Sequence, residues 1–214
     1  MSRGVESRPK GRRRSRKGEP AEVGLRLPID VRLFVSSRGF GRLCAANPEL
    51  DLEREANGRV VVMPPAGAES SSRNMGLSGQ LWYWNQQVRT GIVFDSSAGF
   101  TLPNSAVRGP DASWMSRERW EVLPEGDRRR FAHICPDFVA ELASPSDDRN
   151  QLQAKMEEYI AQGVRLGWLI DPRDATVRIY RPGRPVETLA RPATLSGEDV
   201  LPGFVLDLKG ILFD

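Results

Sequence analysis

The strongest constraint on this chain is a strand–helix–strand unit spanning residues 137–170. Asp137-Phe138-Val139-Ala140-Glu141-Leu142-Ala143 is a nearly continuous apolar run of strand length. Ser144-Pro145-Ser146-Asp147 then supplies turn and cap residues. A helix is predicted over 149–162 and closes at Gly163, a residue suited to the left-handed position after a helix. Residues 166–170 form a second buried strand, and 176–180 and 204–208 two further strands around a surface loop at 183–197. A unit of this kind inside a strand-rich chain predicts an α/β (α+β) domain with a central mixed β-sheet.

The first half supplies the other elements. A short helix is expected within 31–44. Strands at 50–55 and 59–63 flank Asn57-Gly58, the strongest short hairpin signal. Ser70–Ser72 can cap a helix to Val88, whose apolar stripe is Leu77, Leu81, Trp84 and Val88. Strands follow at 92–95, 99–102 and 111–115, and Ser116 caps a short helix through Trp120.

Charge is unevenly spread. The formal net charge is +3, but residues 1–25 carry eight Lys and Arg against three Glu, leaving the body at −2. This reads as a disordered basic tail (1–25) before one domain (26–214). The tail is either a solvated extension or an arm that follows a phosphate backbone. No apolar run reaches the ~18 residues of a membrane span, and no apolar segment follows the basic N-terminus, so a cytoplasmic protein without a membrane partner is expected. The single histidine, His133, excludes two-histidine nucleases and multi-histidine zinc enzymes. No nucleophile elbow or phosphate-binding glycine loop is present. Carboxylate and lysine chemistry remains.

Four residues could carry it. Alternation along 137–143 puts Asp137, Val139 and Glu141 on one face, so Glu141 lies within an apolar strand. A buried carboxylate there needs an ion pair or a metal, unless that face meets solvent. On the following helix, Leu152, Met156, Tyr159 and Ile160 form the apolar stripe. Lys155 lies at its edge, either snorkelling or turned toward Glu141 by a tight βα connection. Asp111 follows Pro110 at the start of a short strand, and Glu53 precedes the Asn57-Gly58 turn; each is equally an ordinary turn or strand-end charge. Together they form a set of hard oxygen donors with a lysine, suited to Mg²⁺ or Mn²⁺ and to phosphodiester hydrolysis.

The motif order Gly109-Pro110-Asp111-Ala112-Ser113-Trp114, Cys135-Pro136-Asp137-Phe138-Val139-Ala140-Glu141-Leu142, Gln153-Ala154-Lys155-Met156-Glu157-Glu158-Tyr159 and Trp168-Leu169-Ile170-Asp171-Pro172 resembles the Uma-two family of the PD-(D/E)XK nuclease superfamily. The similarity spans about residues 45–210. It implies a restriction-endonuclease-like fold, with helices flanking the sheet. It further implies Asp111 and Glu141 as metal ligands, Lys155 as catalytic lysine and Glu53 as an additional acidic residue. A lysine two positions after Glu141 is the superfamily pattern; Ala143 stands there, which implies that Lys155 replaces it from the helix. The implied activity is Mg²⁺-dependent cleavage of DNA, with RNA still open, and a homodimer is a family-level expectation.

Two other readings stand beside this one. One is a catalytically silent nucleic-acid-binding protein using its basic tail. The other is an interaction module presenting Trp82, Trp84 and Trp120.

Overall fold

The computed structural model describes residues 32–213, so the basic tail lies outside the described residues. In chain order the elements begin with α1 (Ser37–Ala46), β1 (Asp51–Arg54), β2 (Val60–Met63), α2 (Ala68–Val88), β3 (Gly91–Asp95) and β4 (Phe100–Thr101). There follow β5 (Val107–Arg108), β6 (Ala112–Ser116), α3 (Arg117–Glu121), α4 (Glu125–Arg128) and β7 (Phe138–Leu142). The last are α5 (Arg149–Ala161), β8 (Leu166–Asp171), β9 (Thr176–Tyr180), β10 (Glu187–Ala190), β11 (Thr194–Ser196) and β12 (Val205–Asp207).

The apolar run that dominates the sequence becomes the middle of a six-stranded sheet ordered β10-β9-β8-β7-β6-β3. Only β7 and β8 pair in parallel, with Phe138 opposite Leu166 and Leu142 opposite Ile170; the other neighbours are antiparallel. The sheet is therefore mixed. Every residue of β7 and β8 is buried because both faces are covered. Phe138, Ala140 and Leu142 pack with Leu77 and Leu81 of α2, and Val139 packs on the opposite side with Met156 and Tyr159 of α5. Glu141 follows the Val139 face, as alternation predicts, and that face is closed by α5 rather than open to solvent.

A second sheet, ordered β2-β1-β5-β4, stands beside the first. Its β1–β2 hairpin turns at Asn57-Gly58, where Gly58 takes φ +96, a conformation that costs a side-chain-bearing residue far more. α1 packs on this sheet through Phe40, which contacts Leu52 and Val107.

Several boundaries differ from the sequence reading. α2 starts at Ala68 on Gly67 with no side-chain cap, so Ser70–Ser72 lie inside it. Glu69 in the first turn favours this start through the helix dipole and through its 2.6 Å ion pair to Arg73. Val88 is exposed, and Asn85 takes the last buried position of the stripe. It donates to Gly91 O and accepts from Trp114 Nε1. α5 is capped by Asp148, which accepts from Gln151 N, while Asp147 instead accepts from Ser144 N. The 183–197 segment holds β10 and β11 instead of a loop; β10 is an exposed edge strand and so carries no burial pattern to read. Trp84 and Trp120 pack against the cores, leaving Trp82 as the exposed member of the three tryptophans. Among the described residues no helix is long and apolar enough to cross a membrane.

Candidate active site

Two strands deliver acidic side chains to one lysine on a helix. β1 carries Glu53, β7 carries Glu141, and α5 brings the Lys155 ammonium between them at 2.8 Å from Oε1 of each. Lys155 also approaches Gly109 O at 3.4 Å. Both glutamates are 4% exposed, so these are interior ion pairs. Tyr159, one turn beyond Lys155, donates its hydroxyl to the same Glu141 Oε1 at 3.0 Å. The tight connection from β7 to α5 thus turns Lys155 inward, as its place at the stripe's edge allows. Ala143 is buried in the core on the α5 side of the sheet.

Asp111 sits just before β6 and is held by neutral donors. Leu142 N donates to Oδ2 at 2.7 Å, and Asn74 Nδ2 of α2 donates to Oδ1 at 3.0 Å. Because β6 and β7 are adjacent, with Ala112 opposite Ala140, Asp111 and Glu141 emerge at the same end of the sheet. Glu53 is fixed by Gly109 N at 2.9 Å and by Arg108 Nη1 at 3.0 Å. Arg108 in turn binds Glu158 of α5, and Asn104 Nδ2 donates to that carboxylate. All four residues singled out in the sequence therefore fall in one cluster.

Their electrostatics diverge. Burial pushes the Glu141 carboxyl up to about 8; Lys155 opposes this, while Asp111 and Glu53 add to it. Burial likewise raises Asp111 above its ordinary value, with the Leu142 N–H and Lys155 opposing. Glu53 is also driven upward by burial, but Lys155 and Arg108 outweigh it and hold the carboxyl below its ordinary value. Burial works to lower Lys155, yet Glu141 and Glu53 raise it above an ordinary lysine, so it stays an ammonium at neutral pH.

The donor set consists of hard carboxylate oxygens, the ligand chemistry of a divalent cation such as Mg²⁺. When ionised, Glu53, Asp111, Glu141 and Glu158 exceed Lys155 and Arg108 by two negative charges. The polar contacts of Glu141 both fall on Oε1, and the Asp111 oxygens are met by uncharged N–H groups. Asn74 Oδ1, on the amide that holds Asp111, is a buried acceptor without a hydrogen-bond partner. Among the described residues no ready cage of three acidic, His or Cys side chains exists, and the ammonium holds the position between Glu53 and Glu141.

Sequence reasoning missed Arg108, Asn74 and Glu158, and treated Tyr159 only as core. Asn74 was findable: it lies three residues before Leu77, in phase with the buried stripe of α2. Arg108 was not, because the two-residue strand β5 carries no periodicity.

No curated protein matches the chain. A crystal structure described as "a putative nuclease belonging to DUF820 from Anabaena variabilis" superposes with a TM-score of 0.65 at 21% identity, covering 77% of this chain and 90% of that one. At that identity the likeness establishes the fold, which is the restriction-endonuclease-like arrangement of a central mixed sheet flanked by helices. Residues 38–209 match the family Uma2, described as "Putative restriction endonuclease", and the chain belongs to that family.

Proposed function

We propose that this site hydrolyses phosphodiester bonds of DNA with Mg²⁺ or Mn²⁺ bound at Asp111 and Glu141. The observation that carries the proposal is the convergence of Glu53 and Glu141 on the buried Lys155 ammonium, with Asp111 at the same end of the sheet. A hard cation there would supply Lewis acidity and positive charge at the scissile phosphate.

The chain's own residues do the rest. Leu142 N–H and Asn74 hold the Asp111 carboxylate in one orientation, and the Tyr159 hydroxyl does the same for Glu141. Lys155 keeps its proton, because two carboxylates raise its pKa, so it orients water and offsets charge on the phosphate rather than acting as a base. Glu53, anchored by Arg108 and Gly109 N, positions that ammonium.

The test is cleavage of supercoiled plasmid by wild type and Asp111→Ala with Mg²⁺, Mn²⁺ or EDTA. The proposal requires metal-dependent cleavage by wild type and its loss, at least 100-fold, in the variant. Equal cleavage by both, or none by wild type with either metal, refutes it.

A further inference from the structure

One cavity lies across β5 from the carboxylates. It has a volume of about 990 Å³ and is walled by α1, the start of β4 and the segment around residues 128–133. Val107 lines it, whereas the next residue, Arg108, binds Glu53 on the other face of the same strand. The cavity and the carboxylate cluster are thus separated by one strand.

Its wall has a single sign of charge. Five arginines line it, and no described Asp or Glu does. Arg129 pairs with Glu125, but Arg38, Arg42, Arg128 and Arg130 are exposed and make no ion pair among the described residues. Left unneutralised around a concavity, such charges focus a positive potential. Between them lie the partly buried rings of Phe94, Trp120 and Phe131.

We propose that this cavity binds a single-stranded segment of nucleic acid, with arginines on the phosphates and unpaired bases against the rings. Charge complementarity selects a polyanion and argues against the chain's own N-terminus, which carries a net +5 over residues 1–25. Ring faces inside a cavity select unpaired bases, since the bases of a duplex are stacked on one another and cannot enter. The volume, at the top of the range of small-molecule sites, is large enough to admit a nucleotide. The role of this groove in holding a strand for cleavage rests on the nuclease reading; its binding does not.

The probe is a fluorescein-labelled 12-nucleotide oligothymidylate, titrated by anisotropy with the full chain in EDTA, so that binding is read without cleavage. The proposal requires at least a tenfold loss of affinity in Arg38→Ala/Arg42→Ala and in Arg128→Ala/Arg130→Ala, with unchanged melting temperatures. It also requires a smaller loss in the Arg→Lys versions, which keep the charge, and weaker competition by a blunt 12-base-pair duplex than by the unlabelled strand. Wild-type affinity in both double alanine variants, preference for the duplex, or loss of all binding on deleting residues 1–25 overturns it. Oligonucleotide binding by a wild type that cleaves no plasmid with either metal refutes the nuclease reading alone.

Discussion

Replacing Lys155 by Met keeps the apolar stem but removes the ammonium that two buried carboxylates share. Both ion pairs are 2.8 Å long, with side-chain exposures of 10% for Lys155 and 6% for each glutamate. Removing one partner of such a pair costs about 3–5 kcal/mol, because the remaining charge stays buried. The loss must depend on pH. The lowered pKa of Glu53 gives the fold stability above the ordinary carboxylate value of 4.5, which is lost as pH falls through the still lower folded value. Glu141 acts in the opposite sense: its carboxyl is raised to about 8, so it withdraws stability as pH climbs from 4.5 to about 8. Lys155→Met removes the first contribution and extends the second upward, and both changes penalise the variant more as pH rises. Urea denaturation in EDTA should show a loss of about 1–2 kcal/mol near pH 4, where hydrogen bonds dominate, and about 3–5 kcal/mol at pH 8. A loss below about 1 kcal/mol at pH 8, or the same loss at both pH values, refutes the reasoning.

Other perturbations probe other parts of the account. Ser113 is fully buried and its hydroxyl has no partner, so Ser113→Ala should leave stability unchanged or raise it by up to about 1 kcal/mol in urea melts. Asp137, 1% exposed, accepts from Ser116 N and Arg119 Nη1; Asp137→Ala should cost about 1–3 kcal/mol by the same measurement, because it removes the acceptor of two partly buried donors. Burial pushes the Cys135 thiol up to about 12, so at pH 8 iodoacetamide should label the partly exposed Cys44 and spare Cys135, as peptide mass mapping would show. Tyr159→Phe removes the hydroxyl from Glu141 without emptying the core; it should lower cleavage about tenfold or more while shifting the melting temperature by only a few degrees.

The parts of this molecule that were readable are those where one physical rule acts alone. A carboxylate inside an apolar strand calls for a partner or a metal unless its face meets solvent; that face is closed by α5, and Glu141 is paired. The lysine at the edge of the helix's apolar stripe could snorkel to solvent or turn toward the strand, and the tight βα connection turns Lys155 inward. Asn57-Gly58 specified its hairpin because few residues tolerate that turn. Where tertiary context decides, the sequence was silent. Nothing local marks β5, two residues long, although its Arg108 ties Glu53 to Glu158 across three elements. β10 is exposed and on an edge, so it lacks the alternation that reveals a half-buried strand. Asn74 and Asn85 sit on a stripe assumed to be apolar, and each is there for the partner it holds: Asp111 in one case, Trp114 and Gly91 O in the other.

Glu141→Gln tests the central claim most directly, since it removes one charge while keeping the volume and an oxygen able to accept from Tyr159 and Lys155. The measurement is the initial rate of plasmid cleavage by wild type and Glu141→Gln across one Mn²⁺ titration at pH 8, with melting temperatures matched beforehand. The account predicts saturable, Mn²⁺-dependent cleavage by wild type and a rate at least 100-fold lower in the variant at every concentration. Cleavage by Glu141→Gln at the wild-type rate, or wild-type cleavage indifferent to Mn²⁺, would contradict it.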